Sequence, residues 1–132
     1  DVQVLQVIGE ITSLAFAVEA TVIRAAHSLQ SAYEAHVSSD EARLVEVNAL
    51  AEAEAGQAQV IASELVPRAA TELFNALGAS DTRISKTLDR HWRNARTVSS
   101  HNPVIYKARD IGGWKVNGTP PTGIWQIGRG EG

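Results

Sequence analysis

An all-α, up-and-down four-helix bundle with an irregular C-terminal tail is the fold that three observations predict. Val4, Ile8, Ile11, Ala15, Val18, Val22, Ala25 and Leu29 follow an unbroken spacing of alternating fours and threes, the period of one helix face. Alanine dominates a composition that is 44% hydrophobic but 5% aromatic, which suits closely packed helices better than strands. Two strong stops, Gly78 and Asn102-Pro103, cut the remainder into helical lengths. At 132 residues the chain is long enough to bury one core.

The first helix is apolar over most of its girth. Val7, Leu14, Phe16 and Ile23 widen the stripe, and polar residues shrink to a line through Gln3, Gln6, Glu10, Ser13, Arg24 and His27. Such a helix is buried by several neighbours, not by one. Ser38, with Glu41 three residues on, is a capping-box pattern that opens the second helix. Its packing line runs through Leu44, Val47, Ala51, Ala55, Ala58, Ala62, Leu65, Ala69, Leu73 and Ala76, where small residues admit a close partner. Pro67 removes one backbone bond and bends this helix, and Gly78 follows its last periodic residue, Leu77, as a C-terminal cap.

Ser80 or Asp81 caps the third helix. Arg90, Arg93 and Arg96 share one of its sides; Leu88, Trp92, Ala95 and Val98 or Ser99 lie on another and can pack. Pro103 cannot continue it and pushes Asn102 out of helical geometry. Val104, Ile105, Ala108 and Ile111 suggest a short fourth helix ending at Gly112-Gly113. Turn signals follow at Asn117-Gly118, Pro120-Pro121 and Gly123, with Trp125 and Ile127 able to dock. The bundle is assigned to residues 1–117 and the loop-rich tail to 118–132.

Without cysteine, disulfides and thiolate metal sites are excluded, and four histidines at scattered spacing make no zinc site. Without methionine, Asp1 reads as a processed end or a cut through a longer protein. Nothing resembles a signal peptide, no apolar run approaches the roughly 18 residues that span a bilayer, and no membrane partner is expected. Charge is divided: −8 over residues 1–80 and +5 over 81–132. A basic half suits an anionic partner such as a phosphate, or an acidic helix pair facing a basic one inside the bundle. No nucleic-acid reading module is present, so none is expected as partner.

No sequence-local enzyme motif occurs: no phosphate loop, dinucleotide fingerprint, His-Glu-x-x-His or nucleophile elbow. The pairs Glu52/Glu54 and Asp40/Glu41 read as solvated faces or caps, His27 and His36 as surface residues, and His91 as packed or hydrogen bonded. His101 differs, because it stands where a helix stops, behind Ser99 and Ser100, where an imidazole can exchange protons near neutral pH. The arginine row reads either as a phosphate clamp or, for Arg90 and Arg93, as a salt-bridge ladder to the acidic second helix.

The run Leu88-Asp89-Arg90-His91-Trp92-Arg93-Asn94-Ala95-Arg96-Thr97, then His101-Asn102-Pro103, Tyr106-Lys107 and Asn117-Gly118, resembles the C-terminal domain of acyl-CoA dehydrogenase-fold flavin monooxygenases. That group includes dibenzothiophene monooxygenases and the oxygenase components of two-component aromatic hydroxylases. The resemblance implies a helical bundle ending a longer, cytoplasmic chain that assembles as a homotetramer. It further implies reduced flavin, FMN more than FAD, delivered by a separate flavin reductase and reacting with oxygen to give a flavin hydroperoxide that oxygenates a small organic substrate. It places His101 opposite the flavin ring as the catalytic residue, and Gly78, Ala79, Ser80, Arg96 and Asn102 at the cofactor. Some relatives carry an arginine near Ser80, whose hydroxyl would replace that contact here. A true acyl-CoA dehydrogenase is the alternative within the fold, but the glutamate-glycine pair that several of those use as base is absent beside His101. A non-catalytic helical assembly module is the alternative for this chain by itself.

Overall fold

The computed structural model describes residues 1–121; the expectations placed on Gly123, Trp125 and Ile127 lie outside them. Two long helices, α1 (Val2–Val37) and α2 (Glu41–Leu77), form an antiparallel hairpin. Two short 3₁₀ turns (Ala79–Thr82 and Ile84–Lys86) lead into α3 (Arg90–His101), and α4 (Val104–Asn117) follows after the predicted break. α2 is the spine: α1 packs along it, and α3 and α4 both lean on it. The all-α bundle expected from the alanine-rich spacing is therefore the observed architecture.

At the start of α2 and the end of α4 the local signals acted at residues other than those expected. Ser38 remains at the end of α1, its N–H donating to the Glu34 carbonyl, and Ser39 takes a left-handed φ of 55°. The turn uses up both serines, so Asp40 and not Ser38 caps α2, accepting from the Arg43 N–H at 3.0 Å. The second change concerns α4, which runs through Gly112-Gly113 to Asn117. Interior glycine costs a helix about 1 kcal/mol each. Half-buried Ile111 and Trp114 pack on either side of that pair and outweigh this cost. The left-handed cap falls instead on Gly118, φ 71°, whose N–H reaches the Trp114 carbonyl at 3.0 Å. Gly78, φ 83°, closes α2 on the Phe74 carbonyl at 3.0 Å, as expected.

The core is made of small residues. Ala25, Ala32, Ala35, Ala51, Ala53 and Ala58 are its buried apolar members, and no large side chain is fully buried. Leu5, Phe16, Val22, Ile23 and Leu29 lie exposed on α1, Phe16 by 71%. A methyl group contributes little transfer free energy, whereas each of those large side chains is worth about 1.5–3 kcal/mol when covered. Much of the large apolar surface of α1 thus faces outward. The same helix overturns one expectation. An 18-residue window within Val2–Val37 is long and apolar enough, by length and composition, to cross a bilayer. Counting unbroken apolar runs missed it, because Glu10 and Glu19, with Thr12 and Ser13, interrupt the run while the apolar residues around them keep the mean hydropathy of the segment high.

One polar clamp crosses the hairpin. Glu54, 11% exposed at its side chain, accepts two bonds from the Arg24 guanidinium at 2.7 and 3.1 Å and a third from the Ser28 hydroxyl. Hydrogen bonding to Arg24 holds this carboxyl below the usual range, against desolvation, which pushes it up. Glu54 is therefore not the solvated-face residue expected of it. Glu52, its neighbour in that expectation, faces Lys107 of α4 at 3.8 Å.

Gly56 is buried where α4 crosses α2, and a Cβ there would meet Ile111 Cδ1 and Lys107 Cδ at 3.4 Å. One methyl group fits at ordinary contact distance and a branched side chain does not. Gly56→Ala is accordingly expected to be neutral or to stabilise by up to about 1 kcal/mol through helix propensity. Gly56→Leu is expected to destabilise by about 1–3 kcal/mol through overpacking. Urea unfolding of the two variants checks the opposite signs.

Candidate functional site at the break between α3 and α4

Proline determines where the site lies. α3 ends at His101, and Asn102 adopts the extended conformation (φ −112°, ψ 108°) that a following proline imposes. His101 is exposed on the last helical turn. Two open grooves flank the break. The first, about 460 Å³, is lined by Val60, Ser63 and Glu64 of α2, Arg96, Ser99 and Ser100 of α3, and Pro103 and Val104 beyond. The second, about 340 Å³ and more apolar, includes Gln59, Ala62 and Val66 against Ala95, Val98 and Asn102. Ser63 and Ser99 line both grooves, so they mark the seam between them.

Arg96 and Asn102 thus lie on neighbouring grooves, and His101 lines neither. Arg96 takes part in none of the ion pairs among the described residues, which leaves its guanidinium available to an anion. Glu64 is the one acid of the same groove.

The ladder expected from Arg90 and Arg93 to α2 is not formed. Arg93 pairs instead with Asp89 of its own turn at 3.3 Å, and Arg90 joins no ion pair among the described residues. Both arginines are exposed, and the α2 acids Glu52 and Glu54 are already engaged by Lys107 and Arg24. His91 is exposed, not packed, and Trp92 is 43% exposed.

The link Gly78-Ala79-Ser80 precedes α3 and lines neither groove. Ser80 and Asp81 do not cap α3, which begins only at Arg90, too far along the chain to be reached. Asp81 is buried and bound by the Lys86 ammonium, which lowers its pKa, and Arg83 Nε donates to the Ser80 carbonyl at 2.8 Å. These contacts fold residues 79–86 into consecutive tight turns. The backbone N–H groups of Ala79 and Ser80 open that segment, ahead of its first internal bond, Asp81 N–H to the Gly78 carbonyl at 3.1 Å.

Sequence reasoning passed over Gln59, whose side-chain amide donates to the Asn102 carbonyl at 3.0 Å. The available signal was a polar and small stripe on α2, Glu52, Gly56, Gln59 and Ser63, spaced by four, three and four residues. It stands beside the alanine line and faces α4, the break and α3 in turn.

The described residues thus form an all-α bundle with a histidine-asparagine-proline break between its last two helices. The chain belongs to the acyl-CoA dehydrogenase C-terminal domain family, whose profile matches residues 7–105. Among curated relatives it is 32% identical over 117 residues to a dibenzothiophene monooxygenase of Rhodococcus erythropolis, covering 86% of this chain and 26% of that one. It is 41% identical over 66 residues to SfnC of Pseudomonas putida, a probable FMNH2-dependent monooxygenase, covering 50% of this chain and 17% of that protein. In three dimensions it matches a crystal structure of FMN-bound TdsC from a Paenibacillus species with a TM-score of 0.74 and 28% identity, over 92% of this chain and 30% of the other. The chain therefore spans well under half the length of the relatives it matches.

Proposed function

We propose that this chain is the C-terminal, flavin-contacting and oligomerisation domain of a two-component monooxygenase that uses reduced FMN and oxygen on a small organic substrate. The observation that carries this reading is the exposed imidazole of His101 at a helix stop, beside a groove bearing the unpaired Arg96, in a chain whose relatives are named as FMNH2-dependent or dibenzothiophene monooxygenases. The donor set suits the cofactor: Arg96 with the hydroxyls of Ser63, Ser99 and Ser100 offers cationic and neutral donors to anionic oxygens. The backbone N–H groups of Ala79 and Ser80 after Gly78 form a second donor cluster for a phosphate. Neither groove at the break is lined by residues 78–80, and in this reading each cluster would serve a different flavin, shared with another copy of the chain.

When bound, reduced FMN supplies the oxygen activation. The chain's part is positioning and proton placement. His101 holds an N–H toward the site where negative charge grows on oxygen, Arg96 fixes an anionic group, and Asn102 orients the turn that presents the imidazole. The exposed apolar face of α1 supports assembly into a homo-oligomer, in keeping with a tetramer, and explains a bilayer-length apolar helix without a membrane. A separate flavin reductase and a cytoplasmic setting belong to the same reading.

Turnover by the full-length protein tests it. Product is expected when a reductase, NADH and FMN are supplied together, and none when the reductase is left out. Purification with tightly held oxidised FAD, and desaturation of an acyl thioester, would establish the dehydrogenase alternative instead.

A further inference from the structure

Each helix end in this bundle is closed by its own backbone except the one that carries His101. Ser38 N–H closes α1 on Glu34, Gly78 N–H closes α2 on Phe74, and Gly118 N–H closes α4 on Trp114. The end of α3 has no such bond: Asn102 is extended, and Pro103, the next residue, has no N–H to give. Inside α3 the side-chain bonds are local, from Thr97 to the Arg93 carbonyl and Ser99 to the Arg96 carbonyl, and none of its residues is buried. Among the described residues, the side-chain hydrogen bond that ties the break to another helix is Gln59 Nε2 to the Asn102 carbonyl, 3.0 Å, from the spine helix α2.

From this we infer that Gln59 is a positioning residue: where α3 lacks a backbone closure, its amide pins the chain just past the helix end and so sets the direction in which the segment carrying His101 leaves α3. The inference rests on the proposed role of His101. The carbonyl that Gln59 holds is that of the Asn102–Pro103 peptide, one peptide beyond His101, so the bond fixes the course the chain takes as it leaves the turn that carries the imidazole. Glu52 and Gly56 anchor the same α2 stripe against α4 through Lys107 and Ile111, which makes the donor's platform rigid. The second groove lies on the side of Gln59 and Asn102, and an unanchored break would let the chain fall into it.

Gln59→Met keeps the length and volume of the side chain and removes the donor; Gln59→Asn keeps the amide and shortens its reach. In the full-length enzyme with FMN, Gln59→Met is expected to lower product formed per reduced FMN oxidised by about fivefold, with hydrogen peroxide released in its place. That is the factor set by one net hydrogen bond of about 1 kcal/mol. FMN affinity and substrate KM are expected to stay within about twofold, and Gln59→Asn to fall between wild type and Gln59→Met. A second readout needs no turnover. In the flavin-free protein, amide exchange in the peptide spanning 99–106 is expected to quicken about fivefold in Gln59→Met, with α1 and the first half of α2 unchanged. Unchanged exchange in that peptide, or quickening spread over the whole bundle, overturns the positioning role. So does unchanged coupling in Gln59→Met when His101→Ala lowers it in the same assay. If His101→Ala itself changes nothing, the catalytic reading of His101 fails, and the exchange result still decides whether Gln59 holds the break.

Discussion

Replacing His101 with alanine in the full-length protein is expected to lower product yield per reduced FMN consumed by on the order of 100-fold, the size of effect seen when one preorganised donor to a developing oxyanion is removed. The same variant is expected to bind reduced FMN nearly as tightly as wild type, because the imidazole sits at the end of α3, outside the groove that carries Arg96. His101→Gln, which keeps an N–H at similar reach, recovers part of the loss. A structural role would give the reverse pattern. His101 is exposed and makes no bond to the bundle among the described residues, so its removal should leave the melting temperature where it was. Stopped-flow oxidation of reduced FMN, paired with product analysis, separates the two outcomes.

The second large effect falls on the clamp between α1 and α2. Glu54→Ala deletes an acceptor for two Arg24 bonds and one Ser28 bond in a nearly buried place, and costs about 1–3 kcal/mol in urea unfolding at neutral pH. Its pH dependence has a definite sign. Arg24 lowers the folded pKa of Glu54 below its unfolded value, so the clamp's contribution is complete above the ordinary carboxyl range. That contribution disappears as pH falls through the lowered folded value. In Arg24→Met the guanidinium no longer lowers the folded pKa of Glu54, so stability at neutral pH falls and the further loss on acidification is smaller than in wild type. Urea unfolding of wild type and Arg24→Met at neutral and acid pH checks that the gap between them narrows as pH falls.

Much of this architecture was legible because it depends on local chemistry. The spacing from Val4 to Leu29, the glycine at 78 and the proline at 103 act within a few residues of themselves, and the chain responds to each as expected. Misreadings arose where two local signals competed or where a partner lay far along the chain. Ser38 and Asp40 both can cap a helix, and only the turn geometry of Ser39 chooses between them. Gly112-Gly113 looked like a stop because the packing of Trp114 is a tertiary fact. Glu54 looked solvated because Arg24, its partner, lies on another helix.

The site follows the same division. His101 stood out through its proline neighbour, but Gln59 did not, since the polar and small stripe it belongs to on α2 does not say which of its members reaches a carbonyl on another helix. The apolar girth of α1 was visible from the start. What covers it was not, and in this chain α2 hides chiefly small residues such as Ala25, Ala32 and Ala35.

Isotope labelling during one turnover addresses the chemistry most directly. Full-length enzyme, reduced FMN and substrate are mixed with ¹⁸O-labelled oxygen gas, and the product is weighed by mass spectrometry. Incorporation of one labelled oxygen atom per product molecule, falling in proportion in His101→Ala, is the expected result. A product that has lost two hydrogens and carries no label contradicts it, and would make the chain part of a dehydrogenase.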